Sequence, residues 1–273
     1  MKLLLKILLF FIIFNSNISF AKYSYYTTEQ EDSNTETLIL FDSSGSMSEK
    51  LQNRTRIEHA ADAVFNILNN LPDKHKIGLR TIGVHPSKIP TLLKAGREQI
   101  CKQTYLRAPI RSFNDPVILD SLKELYPFGP TPLAYALRLV VENDFQHYTP
   151  HKHIILITDG FESCGGNPCE YIKHIMTERK DITIDVIAIG ANKYDLGFLG
   201  CLTDATGGRV YDVQRPSEIQ PVISEITKKS QPKVQQDEQN TQKPKYRIIN
   251  EQKKPIIKKT NIQYKNYLLE FYD

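Results

Sequence analysis

Several features that would point elsewhere are missing from this 273-residue chain. No stretch reaches the roughly 20 apolar residues that a helix needs to cross a bilayer, and the longest, Leu3 to Phe14, is interrupted by Lys6. The charge excess is only +4, from 35 Lys and Arg against 31 Asp and Glu, which excludes a polycation built for nucleic acid. The four cysteines lack C-x-x-C spacing and so do not read as a zinc site. A serine hydrolase would show G-x-S-x-G at a strand-to-helix turn, and Ser43 to Ser48 does not supply it. His151 and His153 flank Lys152 before a strand, yet no third ligand is identifiable, so surface or strand-edge histidines are expected; no internal repeat is visible.

What is present begins with a targeting segment. Lys2 and Lys6 give a positive start, an apolar stretch follows, and Ser19 and Ala21 put small residues before a cut after Ala21. Residues 1–21 are therefore expected to be a cleaved signal peptide, with a retained anchor as the alternative. The chain is then exported: periplasmic, cell-surface or secreted. In an oxidising compartment Cys101, Cys164, Cys169 and Cys201 are disulfide candidates. Four cysteines allow three pairings. Cys164 with Cys169 closes the shortest loop and leaves Cys101 with Cys201, but the sequence leaves the connectivity open.

Residues 22–35 form a polar lead-in, and 229–273 form a Lys- and Gln-rich tail read as disordered, without apolar period from Gln231 to Lys259 and aromatic and apolar again from Tyr264 to Tyr272, where a frayed end is expected and docking is the alternative. Its basic excess suits a solvated linker; weak contact with an anionic surface is the alternative. The span 36–228 is patterned. Arg56 to Leu71 carries a helical stripe of Ile57, Ala60, Ala61, Val64, Ile67, Leu68 and Leu71. Further helices are expected from Pro116 to about Tyr126, from Pro132 with Thr131 as its cap, over Pro168 to Lys180, over Leu196 to Thr206 and over Ser217 to Lys228. Strands are expected at Leu38–Phe41, Ile77–Val84, Gln103–Ile110, His153–Thr158, Ile182–Gly190 and Arg209–Val213. Strands alternating with helices indicate an α/β, doubly wound, mostly parallel central sheet with helices on both faces.

The stretch that organises this pattern is Thr37 to Ser46. Four apolar residues, Leu38 to Phe41, suit a strand covered on both faces. They run into Asp42, Ser44 and Ser46, one carboxylate and two hydroxyls within five residues, at the strand end where α/β sheets gather ligands. Hard oxygens at this density suit a small hard cation such as Mg²⁺. Any one of these side chains alone would read as a cap or turn residue.

Asp42-Ser43-Ser44-Gly45-Ser46 resembles the D-x-S-x-S motif of von Willebrand factor A (VWA) domains. Gly129-Pro130-Thr131-Pro132-Leu133 resembles the threonine loop of that family, and Ile154 to Gly160 its strand ending in a second aspartate, Asp159. Cys164-Gly165-Gly166-Asn167-Pro168-Cys169, Cys201 and Ala205 to Gly208 resemble a subgroup of bacterial exported VWA proteins labelled calcium-activated-chloride-channel-like, although nothing here could line a pore. The resemblance implies a complete metal-ion-dependent adhesion site. Ser44, Ser46 and Thr131 would face Mg²⁺ or Mn²⁺, Asp42 and Asp159 would act directly or through water, and a partner protein would offer an Asp or Glu carboxylate. Glu49 and Glu162 lie near the same loops, with solvated carboxylates as the plainer reading. The expected function is a metal-dependent adhesion or assembly module, no enzyme. A scaffold using another surface is the rival; a metal-dependent phosphatase is the weaker one, because Ser44 stands where its acid–base Asp would be.

Overall fold

The computed structural model describes residues 35–92, 96–145, 151–160 and 162–229. The expected signal peptide, nearly all of the lead-in and the tail from 230 lie outside the described residues. Within them, β1 (Thr35–Asp42) is followed by a helical turn at Gly45–Ser48 and by a small hairpin, β2 (Lys50–Leu51) and β3 (Arg54–Thr55). Then come α1 (Arg56–Asn70), β4 (Lys76–Ile82), β5 (Thr104–Arg111), α2 (Asp115–Leu122) and α3 (Leu133–Leu139), the last extended by a wider turn over Val140–Asp144. The chain closes with β6 (His151–Thr158), α4 (Pro168–Glu178), β7 (Ile182–Ile189), α5 (Lys193–Thr206), β8 (Val210–Val213) and α6 (Ile219–Lys229).

Six strands form one sheet in the order β5-β4-β1-β6-β7-β8. β1 is central and runs parallel to both β4 and β6. The chain goes first to one side of β1 and later to the other, which opens a crevice at the carboxyl ends of β1 and β6. β5 departs from the parallel pattern and pairs antiparallel to β4. Among the described residues no long helix crosses the sheet between them. The connection instead makes short helical turns at Ile89–Leu92 and Arg97–Ile100, and the strand returns in the opposite direction. That segment, too irregular to assign from sequence, is what sets the direction of this edge strand, which tolerates Pro109.

The apolar run of β1 divides by alternation. Ile39 and Phe41 pack with α1, α2 and α6, while Leu38 and Leu40 pack with α3, α4 and α5. β6 does the same, with Ile155 and Ile157 on the first side and Ile154 and Leu156 on the second. Each such side chain contributes about 1.5–3 kcal/mol on burial, against about 0–1 kcal/mol for an exposed ion pair. The two apolar layers therefore hold the sheet. Inside them lie buried polar pairs that no sequence pattern marks. Arg80 is bidentate to Asp144 at 2.6 and 2.7 Å, and His153 Nε2 lies 3.0 Å from Asp185 Oδ2. His153 is thus buried and partnered, where a surface or strand-edge histidine was expected.

Helix boundaries differ from expectation for local reasons. α5 starts at Lys193, since the Asn192 side chain accepts from the Tyr194 and Asp195 N–H groups. α2 ends at Leu122, short of Tyr126. Pro132, and not Thr131, is the residue at the start of α3, and no side chain of it caps that helix.

The disulfides are Cys101–Cys164 and Cys169–Cys201, and no described cysteine is free. This corrects the shortest-loop pairing of Cys164 with Cys169. Asn167 caps α4 between them, accepting from the Glu170 N–H at 3.1 Å, so Cys169 belongs to the first helical turn and bonds to α5. Cys164 stays in the preceding loop and bonds to the turn after Arg97–Ile100. In the chain-entropy picture, loops closed at separations of 63 and 32 residues stabilise by about 4 kcal/mol each. Peptide mapping without reduction is expected to recover these two linked pairs and no native thiol. A Cys164–Cys169 peptide would contradict the arrangement.

Candidate metal centre

The sequence motif folds into a cup because backbone bonds tie its loop to the neighbouring ones. Ser43 N–H donates to the Ile82 carbonyl at 2.8 Å, and its hydroxyl to the same oxygen at 2.6 Å. Gly45 N–H donates to the Gly129 carbonyl at 2.8 Å, and Phe128 N–H to the Ser43 carbonyl at 3.0 Å. Gly129 is at φ +93°, and a Cβ there would meet Val84 Cγ2 at 2.7 Å. Only glycine lets the threonine loop approach so closely. Met47, fully buried, anchors the helical turn that carries Ser46.

Ser44, Ser46, Thr131 and Asp159 line one open cavity of about 480 Å³, joined by Glu49, Arg56, Glu162 and Asp195. Asp42 is not on that lining but is completely buried. Its Oδ1 accepts the Ser44 N–H at 2.8 Å, and its Oδ2 accepts the Thr158 hydroxyl at 2.6 Å. The Ser44 and Ser46 hydroxyl oxygens are 3.1 Å apart, and the Ser46 hydroxyl donates to Asp159 Oδ1 at 2.9 Å. The five predicted residues are therefore brought to one place, in two tiers: four at the cavity and Asp42 beneath.

Electrostatics explain why this place is costly. Burial pushes the Asp42 carboxyl up to about 6, and the neighbouring Asp159 charge adds to that; the bonds from Thr158 and Ser44 pull the other way. Among the described residues no group of three or more His, Cys, Asp or Glu could hold a metal ion. A cation held here would depend on hydroxyl oxygens in addition to carboxylates. Such a donor set fits a hard divalent ion and leaves it under-neutralised.

Two contributors carry no mark in the sequence, and a third, Glu162, was expected there only as a solvated carboxylate. Thr158 precedes the second aspartate and holds Asp42. Arg56, at the start of α1, donates through Nη1 to Asp159 Oδ2 at 2.7 Å and lies against Glu49 at 2.8 Å. Glu162 accepts from the Ala134 N–H at 2.8 Å and the Cys164 N–H at 2.6 Å. It thereby satisfies the start of α3 in place of Thr131, and it ties that helix start to the disulfide loop instead of being merely solvated. The only sequence signal for these roles was position beside the motifs.

A family model described as von Willebrand factor type A domain matches residues 37–162. An uncharacterized protein of Bacillus subtilis (strain 168), YwmD, is 30% identical over 172 residues, covering 62% of this chain and 74% of that protein. Among solved structures, a von Willebrand factor type A protein from Catenulispora acidiphila superposes with a TM-score of 0.57 at 19% identity, over 73% of this chain and 43% of that one. The mussel byssus proximal thread matrix protein 1, described with a zinc-occupied MIDAS motif, gives 0.53 at 17% identity, over 72% of this chain and 48% of that one. The chain thus spans less than half of either solved protein. With the six-stranded sheet and its helical layers, these matches show that the chain belongs to the von Willebrand factor type A domain family, whose members often mediate protein–protein interactions.

Proposed function

We propose that this chain is an exported, cation-dependent protein-binding module for adhesion or assembly. The observation that carries the reading is the cavity lined by Ser44, Ser46, Thr131 and Asp159 above the buried Asp42. In this reading Ser44, Ser46 and Thr131 hold Mg²⁺ or Mn²⁺ through their hydroxyls, while Asp159 orients the Ser46 hydroxyl and both Asp42 and Asp159, directly or through water, balance charge. The cation supplies one strong attraction for an anionic oxygen, and an Asp or Glu of a partner protein provides it. The cavity is open, so a protruding side chain can enter. The zinc-occupied site of the mussel protein supports a divalent ion in this fold without choosing which one. Export rests on the N-terminal segment described above, and the disulfides are in keeping with it. The chemistry does not favour the phosphatase alternative: the Ser44 hydroxyl beside Ser46 cannot act as the acid–base carboxyl that such an enzyme needs.

Calorimetric titration of Mg²⁺ and Mn²⁺ into chelator-treated protein is expected to show one site, lost in Asp42→Ala while the fold remains. Equal heats from both proteins, or none from the wild type, would overturn the reading.

A second expectation concerns protons. Asp42 is raised from 3.8 to about 6 in the folded chain. Between those values the folded state binds more protons than the unfolded one, so stability from this group falls as pH rises through the window. In chelator, Asp42→Asn should therefore exceed the wild type in melting temperature at about pH 7.5, and the gap should narrow toward about pH 5. A gap that widens on acidification would contradict the environment assigned to Asp42.

A further inference from the structure

Arg56 sits where three loops of the metal edge meet. Besides its contacts with Asp159 and Glu49, its Nη2 donates to the Gly190 carbonyl at 3.0 Å. The two ion pairs are unequal. The Asp159 side chain is 1% exposed and that of Glu49 63%, so water screens the Glu49 arm and leaves the Asp159 arm strong. The slot is built to shape. Gly190 adopts φ +64°, and a Cβ there would come within 2.9 Å of Arg56 Nε. That Nε is itself buried and has no hydrogen-bond partner among the described residues. A guanidinium chosen only for packing would be expected to have this donor satisfied.

We propose that Arg56 is a resident counter-cation of the metal edge, a positioning residue that holds one oxygen of Asp159 and subtracts its charge from the site. The inference rests on the cation-binding reading above. Asp159 divides its two oxygens: Oδ2 belongs to Arg56, and Oδ1 accepts the Ser46 hydroxyl. A divalent ion arriving beside Ser44 and Ser46 meets a carboxylate already half neutralised and a like charge close behind it. Repulsion lowers its affinity. The same subtraction leaves the bound ion electron-poor, which is when a partner carboxylate contributes most. Without the ion, Arg56 keeps the buried Asp159 paired, so the fold does not need metal.

The test is Mg²⁺ titration into the full chelator-treated chain carrying Arg56→Gln or Arg56→Lys, beside the wild type. Mg²⁺ should bind Arg56→Gln about tenfold more tightly and Arg56→Lys with nearly wild-type affinity. Without metal, Arg56→Gln should lower the melting temperature, and adding Asp159→Asn should recover most of the loss, a coupling that no ion affects. Equal or weaker Mg²⁺ binding by folded Arg56→Gln overturns the counter-cation role. Should Arg56→Gln alone not fold, a double variant that also fails to fold overturns the pairing, and one that folds supports it. A wild type that binds no Mg²⁺ overturns the cation reading and this inference together, so the wild-type titration separates the two failures.

Discussion

A carboxylate without exposed surface terminates the central strand, and the loops above β1 are arranged around keeping it there. Asp42 lies at the end of two apolar layers that offer it no solvent. An ionised carboxylate in such a place is expensive unless hydrogen-bonded or paired. The structure answers with the Ser44 amide and the Thr158 hydroxyl, yet the group still titrates near 6. A cation in the cavity above would complete what these two bonds begin. In this sense the strain at the end of β1 and the proposed function are one fact viewed twice.

The cavity's walls come from elements far apart in sequence, and each wall is fastened by a specific device. Gly129 permits the threonine loop to touch the first motif, Ser163 bonds that loop at Thr131 to the segment after β6, Glu162 bonds the segment to the start of α3, and Cys101–Cys164 fastens it to the connection between β4 and β5. Arg56 adds the end of β7 through Gly190. Catalytic or binding side chains on loops are only as well placed as such fastenings allow. The apolar layers beneath supply most of the stability, to which the disulfide adds, and the fastenings supply the geometry.

Much of this was legible in the sequence. The apolar runs ending in Asp42 and Thr158-Asp159 announce two buried parallel strands, and the ends of parallel strands lie on one edge, so the five oxygens could be gathered without coordinates. The stripe from Ile57 to Leu71 gave α1 directly. What could not be read depends on contacts between distant residues or on the path of irregular chain. Arg56 reaches Asp159 across 103 positions, and no local pattern marks an arginine at a helix start as a partner for a remote aspartate. The direction of β5 was hidden because the connection before it carries no period. The disulfide pairing misled because loop length counts for less than the cap at Asn167, which turns Cys169 away from Cys164. Residues 1–34 and 230–273 lie outside the described residues, and the readings placed on them stand as proposals.

The proposed function requires that the Ser44, Ser46 and Thr131 hydroxyls hold an ion. Anomalous diffraction from a crystal of this protein soaked in Mn²⁺ addresses that directly, since manganese is located by its own scattering. One strong peak is expected inside the cavity, bounded by these three hydroxyls, with Arg56 still on Asp159. An empty cavity, or manganese bound only elsewhere on the surface, would contradict the proposed function and leave the five oxygens as structural caps.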